Sequence, residues 1–131
     1  MNSSGRKKGK AARRDLSQAV VCTGIPHIGW KNHGVFSQQL AEIMPQVAGV
    51  RRTGSCAIDM AFVAAGRFDA YWESGLNAWD LAAGIILVRE AGGTITDLNN
   101  KSDILGTGSV LATNETLHRP LMNILKKAGT I

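Results

Sequence analysis

Residues 19–25 read Ala-Val-Val-Cys-Thr-Gly-Ile and end at Pro26. A short run of β-branched and small apolar residues of this length predicts a buried strand, with Pro26-His27-Ile28-Gly29 as the loop after it. From Asn32 to about Val47 the period changes. Val35, Phe36, Leu40, Ile43 and Met44 recur at helical spacing, which predicts an amphipathic helix shortened or kinked at Pro45. Val50-Arg51-Arg52 reads as a short strand. Thr53-Gly54-Ser55 then opens a second helix, whose run from Ala57 to Ala65 is apolar nearly all round. Such a helix is expected to be deeply buried, and Gly66 supplies its stop. The aromatic stretch Phe68-Asp69-Ala70-Tyr71-Trp72 favours a strand, and Glu73-Ser74-Gly75-Leu76-Asn77 a loop. A third helix is predicted from about Ala78 to Glu90, ending at Gly92-Gly93. Thr94-Ile95-Thr96 and Ser109-Val110-Leu111-Ala112-Thr113 are strands, with a turn over 97–101 between them. Asn114 reads as the N-cap of a last helix, because Leu117, Leu121, Ile124 and Leu125 follow at helical spacing.

The order β-α-β-α-β-α-β-β-α predicts an α/β fold, with a mixed, mostly parallel sheet flanked by helices. The 131 residues suffice for one domain, and no internal repeat interrupts them. The formal net charge of +5 has one source. Residues 1–15 hold six Lys/Arg and one Asp, and residues 16–131 hold nine of each sign. The chain is therefore expected to consist of a flexible basic lead-in, 1–15, and an α/β unit, 16–131. A basic run such as Arg6 to Arg14 can meet nucleic acid or an acidic surface. It carries no aromatic residue to stack on bases, so a solvated lead-in is the plainer expectation. No run of about 18 apolar residues predicts a membrane span. Cys22 and Cys56 belong to no metal-ligand spacing. Without an export signal ahead of them, they are expected as two reduced, buried thiols in a cytoplasmic protein.

The chemistry concentrates between Gly54 and Gly93. Asp80 falls in the first turn of the third helix, where the helix dipole favours a carboxylate and free backbone N–H groups can anchor an anion. Ala82, Ala83 and Gly84 let that turn approach a neighbouring layer closely, and Trp79 is expected to anchor it. By residue chemistry alone two readings stay open. Asp80 is either an acid serving the helix terminus or an oxygen ligand for a hard divalent cation. Asp59, within the apolar second helix, is expected to be hydrogen-bonded for structure. Glu90 is read as a structural partner near the end of the third helix, and Asp69 and Asp97 as turn residues.

Three segments bear on the choice. Trp79-Asp80-Leu81-Ala82-Ala83-Gly84 followed by Glu90-Ala91-Gly92-Gly93 resembles the second signature of the inositol monophosphatase family, W-D-x-A-A-G before E-A-G-G. Gly54-Ser55-Cys56-Ala57 is similar to the family's G-S/T-A-A turn. Gly66 to Glu73 is similar to its G-x-x-D-A-Y-x-E stretch. The likeness covers residues 17–131 and corresponds to the carboxy-terminal half of the family's sugar-phosphatase fold. It implies hydrolysis of a phosphate monoester, inositol phosphate first, with magnesium polarising the phosphate and activating water.

Residue by residue, the resemblance implies that Asp80 ligates one magnesium ion and serves catalysis. It implies that Glu73 contacts substrate hydroxyls and that Gly54, Ser55 and Cys56 line the pocket. Cys56 stands where alanine is usual, and without a neighbouring base it is not expected to be a nucleophile. His27 matches the family only weakly and is expected to be a loop residue.

The first family signature, D-P-I/L-D-G-T, with its metal-binding acids, has no counterpart in these 131 residues. The expectation that follows is a fragment, a broken reading frame or a mis-called start. One carboxylate cannot cage magnesium, so the chain is expected to be inactive alone. It should expose an apolar face toward the missing amino-terminal half and self-associate as a homo-oligomer, most simply a dimer. Fructose bisphosphate, a histidinol phosphate or a 3′-phosphoadenosine nucleotide are alternative substrates on such a scaffold. The alternative of a different class is a regulatory module that meets RNA or a transcription complex through residues 6–14.

Overall fold

A computed structural model of the chain describes residues 15–24, 33–114 and 116–128. Pro26, His27 and the basic run 6–14 lie outside the described residues. Five strands form one sheet: β1 (Val20–Thr23), β2 (Gly49–Arg51), β3 (Ala70–Glu73), β4 (Thr94–Thr96) and β5 (Val110–Thr113), in the spatial order β2-β1-β3-β5-β4. β1 pairs parallel with β2 and β3, whereas β5 pairs antiparallel with β3 and β4. Four strands thus share a direction and β5 alone is reversed. This is the mixed α/β sheet that the element order predicts. No described helix is long and apolar enough to cross a membrane.

The period-two alternation of strands divides the core into two layers. Val21, Ala70, Trp72 and Leu111 face α1 (His33–Ile43) and α5 (His118–Lys127), packing with Ile43, Leu121 and Leu125. Cys22, Tyr71, Val110 and Ala112 face the other way. There they meet Met60 of α2 (Cys56–Ala64), Leu81, Ile85 and Val88 of α3 (Ala78–Glu90), and Ile104 of α4 (Ile104–Thr107). Gly84 lets α2 and α3 touch, since a Cβ there would lie 2.9 Å from the Met60 Cβ.

Several local expectations need correction. α2 is not buried all round: Asp59, Met60 and Val63 face the core while Ile58 is 47% exposed. Trp79 anchors nothing within the described residues, being 77% exposed. With Ile86 and Leu87, also exposed on α3, these side chains leave an apolar outer surface on the α2–α3 layer. Asn114 caps a turn rather than the helix, because its Oδ1 accepts from the N–H groups of Thr116 and Leu117 before α5 begins at His118. Asp69 and Asp97 are buried and do more than mark turns. Asp69 accepts the Val20 N–H at 2.8 Å, tying β3 to β1. Asp97 accepts the N–H groups of Asn99 and Lys101, closing the turn after β4. The short α4 lacks any apolar period long enough to read from sequence.

Candidate active site

The three parallel strands β2, β1 and β3 end on one side of the sheet, at Arg51, Thr23 and Glu73. The helix after β1, α1, packs on one face, and the helix after β3, α3, on the other. A crevice therefore opens between the ends of β1 and β3, the place where open α/β sheets bind ligands. Here it is a cleft of about 370 Å³ lined by Gly24, Arg52, Gly54, Ser55, Cys56, Ala57, Asp59, Glu73, Leu76 and Asp80. All five residues singled out from sequence (Gly54, Ser55, Cys56, Glu73 and Asp80) are brought together in it.

The turn before α2 is built by local chemistry. Gly54 has φ +91°, a conformation that suits glycine. Ser55 is the N-cap, its hydroxyl accepting the Ile58 N–H at 3.3 Å. The Thr53 hydroxyl accepts the Ser55 N–H at 3.1 Å and donates to Asp59 Oδ1 at 2.8 Å. Asp59 is thus hydrogen-bonded as the sequence suggests, yet it also lines the cleft. Burial raises its pKa, while the bonds from Thr53 and Cys22 pull it back. Asp80 stands half-buried in the first turn of α3. The Cys56 thiol lies 3.5 Å from the Asp80 carbonyl oxygen, joining the first turns of the two helices. The positive dipole ends of α2 and α3 therefore meet at the cleft and favour an anion there.

Glu73 ends β3 with its carboxyl at the cleft wall. Tyr71, two residues earlier and on the same strand face, donates its hydroxyl to Glu73 Oε1. Burial raises the Glu73 pKa, the Tyr71 bond lowers it, and the charges of Asp59 and Asp80 raise it further. Burial likewise pushes the Cys56 thiol up to about 11, with Glu73, Asp80 and Asp59 adding to the effect of burial. Both cysteines are free thiols. Cys22 is buried as expected, and Cys56 is only half-buried. A protonated Cys56 without a base is no nucleophile.

The sign of the Glu73 shift makes a stability prediction. The folded state keeps its proton to a higher pH than the unfolded chain, so stability falls as pH rises above the ordinary value of 4.5. Glu73→Gln removes that penalty. It is expected to raise the thermal midpoint at pH 7 and to give no gain below about pH 4.5, where both states are protonated. Melting curves of the two chains across pH 4 to 8 check this.

Among the described residues no group of three or more His, Cys, Asp or Glu side chains is arranged to hold a metal ion. Asp80 offers one oxygen donor, and the residues present do not complete a divalent-cation site. The sequence reading missed Gly24, Arg52 and the cleft-facing place of Asp59. A glycine closing a strand was the available signal for the first. Nothing in the sequence marks Arg52 apart from Arg51.

A model of the inositol monophosphatase family matches residues 3–130. The chain is 50% identical over 117 residues to an inositol-1-monophosphatase of Mesorhizobium japonicum, covering 89% of this chain and 44% of that protein. It is 38% identical to Nus factor SuhB of Escherichia coli, covering 89% and 43%. The crystal structure of extragenic suppressor protein suhB from Bartonella henselae superposes with a TM-score of 0.88 at 43% identity, covering 97% of this chain and 49% of that one. The chain thus spans just under half the length of these relatives.

Proposed function

Because this chain belongs to the inositol monophosphatase family, we propose that it supplies the substrate-side wall of a magnesium-dependent phosphatase acting on inositol phosphate. The observation that supports the reading is the convergence of Asp80, Glu73 and the Gly54-Ser55-Cys56 turn on one cleft at the ends of parallel strands. Magnesium, when bound, would polarise the phosphate and activate water. Asp80 would contribute a single ligand, and the other ligands must come from outside the described residues. The paired helix N-termini would favour the phosphate anion, and the Glu73 carboxylate would accept from substrate hydroxyls. The chain alone would not hydrolyse substrate, since one carboxylate does not bind the ion.

The test is a chimera that joins the amino-terminal half of the Mesorhizobium japonicum relative to this chain. Magnesium-dependent release of phosphate from inositol 1-phosphate is expected from the chimera and not from the 131 residues alone. A folded chimera that stays inactive, or hydrolysis by the isolated chain, would sink the reading. The likeness to a protein named a Nus factor favours a second reading, contact with RNA through Arg6 to Arg14. Deleting residues 1–15 separates the two. It abolishes a salt-sensitive RNA affinity under the second reading and leaves hydrolysis by the chimera intact under the first.

A further inference from the structure

A glutamate at the end of a strand has three rotatable bonds, and a carboxyl free to swing cannot favour one arrangement of hydroxyls over another. Glu73 is held on two sides by residues outside the family signatures' binding positions. We propose that Tyr71 is a positioning residue that aims the Glu73 carboxyl into the cleft, with Gly24 as the wall against which the carboxyl rests.

Tyr71 and Glu73 are two apart on β3 and share a face. The Tyr71 ring is fully buried, packed in the cluster with Met60, Leu81 and Val110, so it cannot follow a moving carboxyl. Its hydroxyl donates to Glu73 Oε1. Burial keeps this phenol protonated far above the usual range, so it remains a donor at any working pH.

On the other side, a Cβ on Gly24 would collide with all three atoms of the Glu73 carboxyl. The carboxyl occupies the volume that glycine leaves empty. The Thr23 hydroxyl donates to the Trp72 carbonyl at 2.8 Å, fixing the ends of β1 and β3 to one another. Gly24 therefore keeps its place relative to Glu73. One carboxyl oxygen is engaged by Tyr71, and the remaining lone pairs form an acceptor set of fixed direction. Such a set suits neighbouring hydroxyls of a polyol. The consequence for substrate rests on the hydrolase reading given above, whereas the positioning itself does not.

The experiment uses a convenience of the sequence: Tyr71 is the only tyrosine. The ring doublet of tyrosine in the Raman spectrum reports whether its hydroxyl donates to a strong acceptor, and here it comes from one residue. The 131-residue chain is expected to show the strong-donor pattern. Glu73→Gln and Gly24→Ala should both weaken it while far-UV circular dichroism stays unchanged. An unchanged doublet in both variants overturns the proposal. In the chimera, Tyr71→Phe is expected to raise KM for inositol 1-phosphate on the order of tenfold with little change in kcat, because a carboxyl free to swing binds the substrate hydroxyls less well in ground and transition state alike. Equal losses in kcat and KM in Tyr71→Phe and in the core control Tyr71→Leu would mark a merely structural residue. If the chimera fails to hydrolyse anything, the hydrolase reading falls and the Raman comparison still decides this one.

Discussion

Replacing Trp72 by alanine is expected to cost the fold about 3–5 kcal/mol, the usual loss on truncating a buried large aromatic. Trp72 is 1% exposed and sits at the centre of the layer facing α1 and α5. Its ring stacks on Phe36, with centroids 6.2 Å apart and planes 26° from parallel. Its indole N–H donates to Gln39 Oε1 at 3.1 Å, and Gln39 is itself buried. Three contributions are therefore lost together: apolar burial, the aromatic pair, and a donor to a buried amide. Domains of this size are stable by only about 5–15 kcal/mol, so the variant should lose a large fraction of the fold's stability. Trp72→Phe separates the terms. It keeps much of the burial and the stack and loses the N–H, so roughly 1–2 kcal/mol is expected. Urea unfolding of the three chains checks both figures. A Trp72→Ala chain as stable as the parent would mean that β3 is not central to the core.

Trp72 also shows why the fold was legible. Aromatic and β-branched residues in short runs mark strands through their burial, and burial on alternate faces is what a central strand requires. α3 was equally plain: Ala78 to Glu90 is bounded by Asn77 and the Gly92-Gly93 pair, and the structure places it at those limits. What escaped was tertiary. Ile58 lies in a run whose composition predicts burial and Trp79 is expected to anchor its turn, yet hydrophobicity in a sequence states only that a residue is better covered, not by what. Among the described residues nothing covers them. The start of α5 escaped for a different reason. Asn114 satisfies the local signal for a cap, but its carboxamide is spent on the turn at Thr116 and Leu117, and the helix starts later.

The cleft was legible where motifs carried it. Its other parts arise from backbone proximity. Gly24 and Glu73 are far apart in the chain and meet only because β1 pairs with β3. No spacing rule in the sequence expresses that pairing. Asp59 reads as structural because it sits in an apolar helix and no motif gives it a catalytic role, and its bond from Thr53 agrees with that. Its place on the cleft wall depends on tertiary packing, which no local pattern in the sequence expresses.

The second large effect concerns Asp80, on which the functional proposal turns. An acid in the first turn of a helix is worth about 0.3–1 kcal/mol through the helix dipole alone. If that were its whole role, Asp80→Asn would shift stability slightly and leave catalysis by the chimera untouched. The proposed role gives a different result. Asparagine keeps the shape and loses the charge, so it is a poor oxygen donor for magnesium. Loss of groups that merely support a metal ligand costs about 10- to 100-fold, and loss of the ligand itself should reach at least the upper end. Asp80→Asn in the chimera is therefore expected to lower kcat/KM by about 100-fold or more and to raise the magnesium concentration needed for half-maximal rate. The Cys56 contact constrains the interpretation. The thiol meets the Asp80 backbone oxygen, not the carboxylate, so the substitution leaves that link between α2 and α3 in place. A drop in rate with unchanged melting behaviour then belongs to the side chain. Full activity at ordinary magnesium would return Asp80 to the rank of a helix-terminus acid and leave the cleft without its proposed metal-facing group.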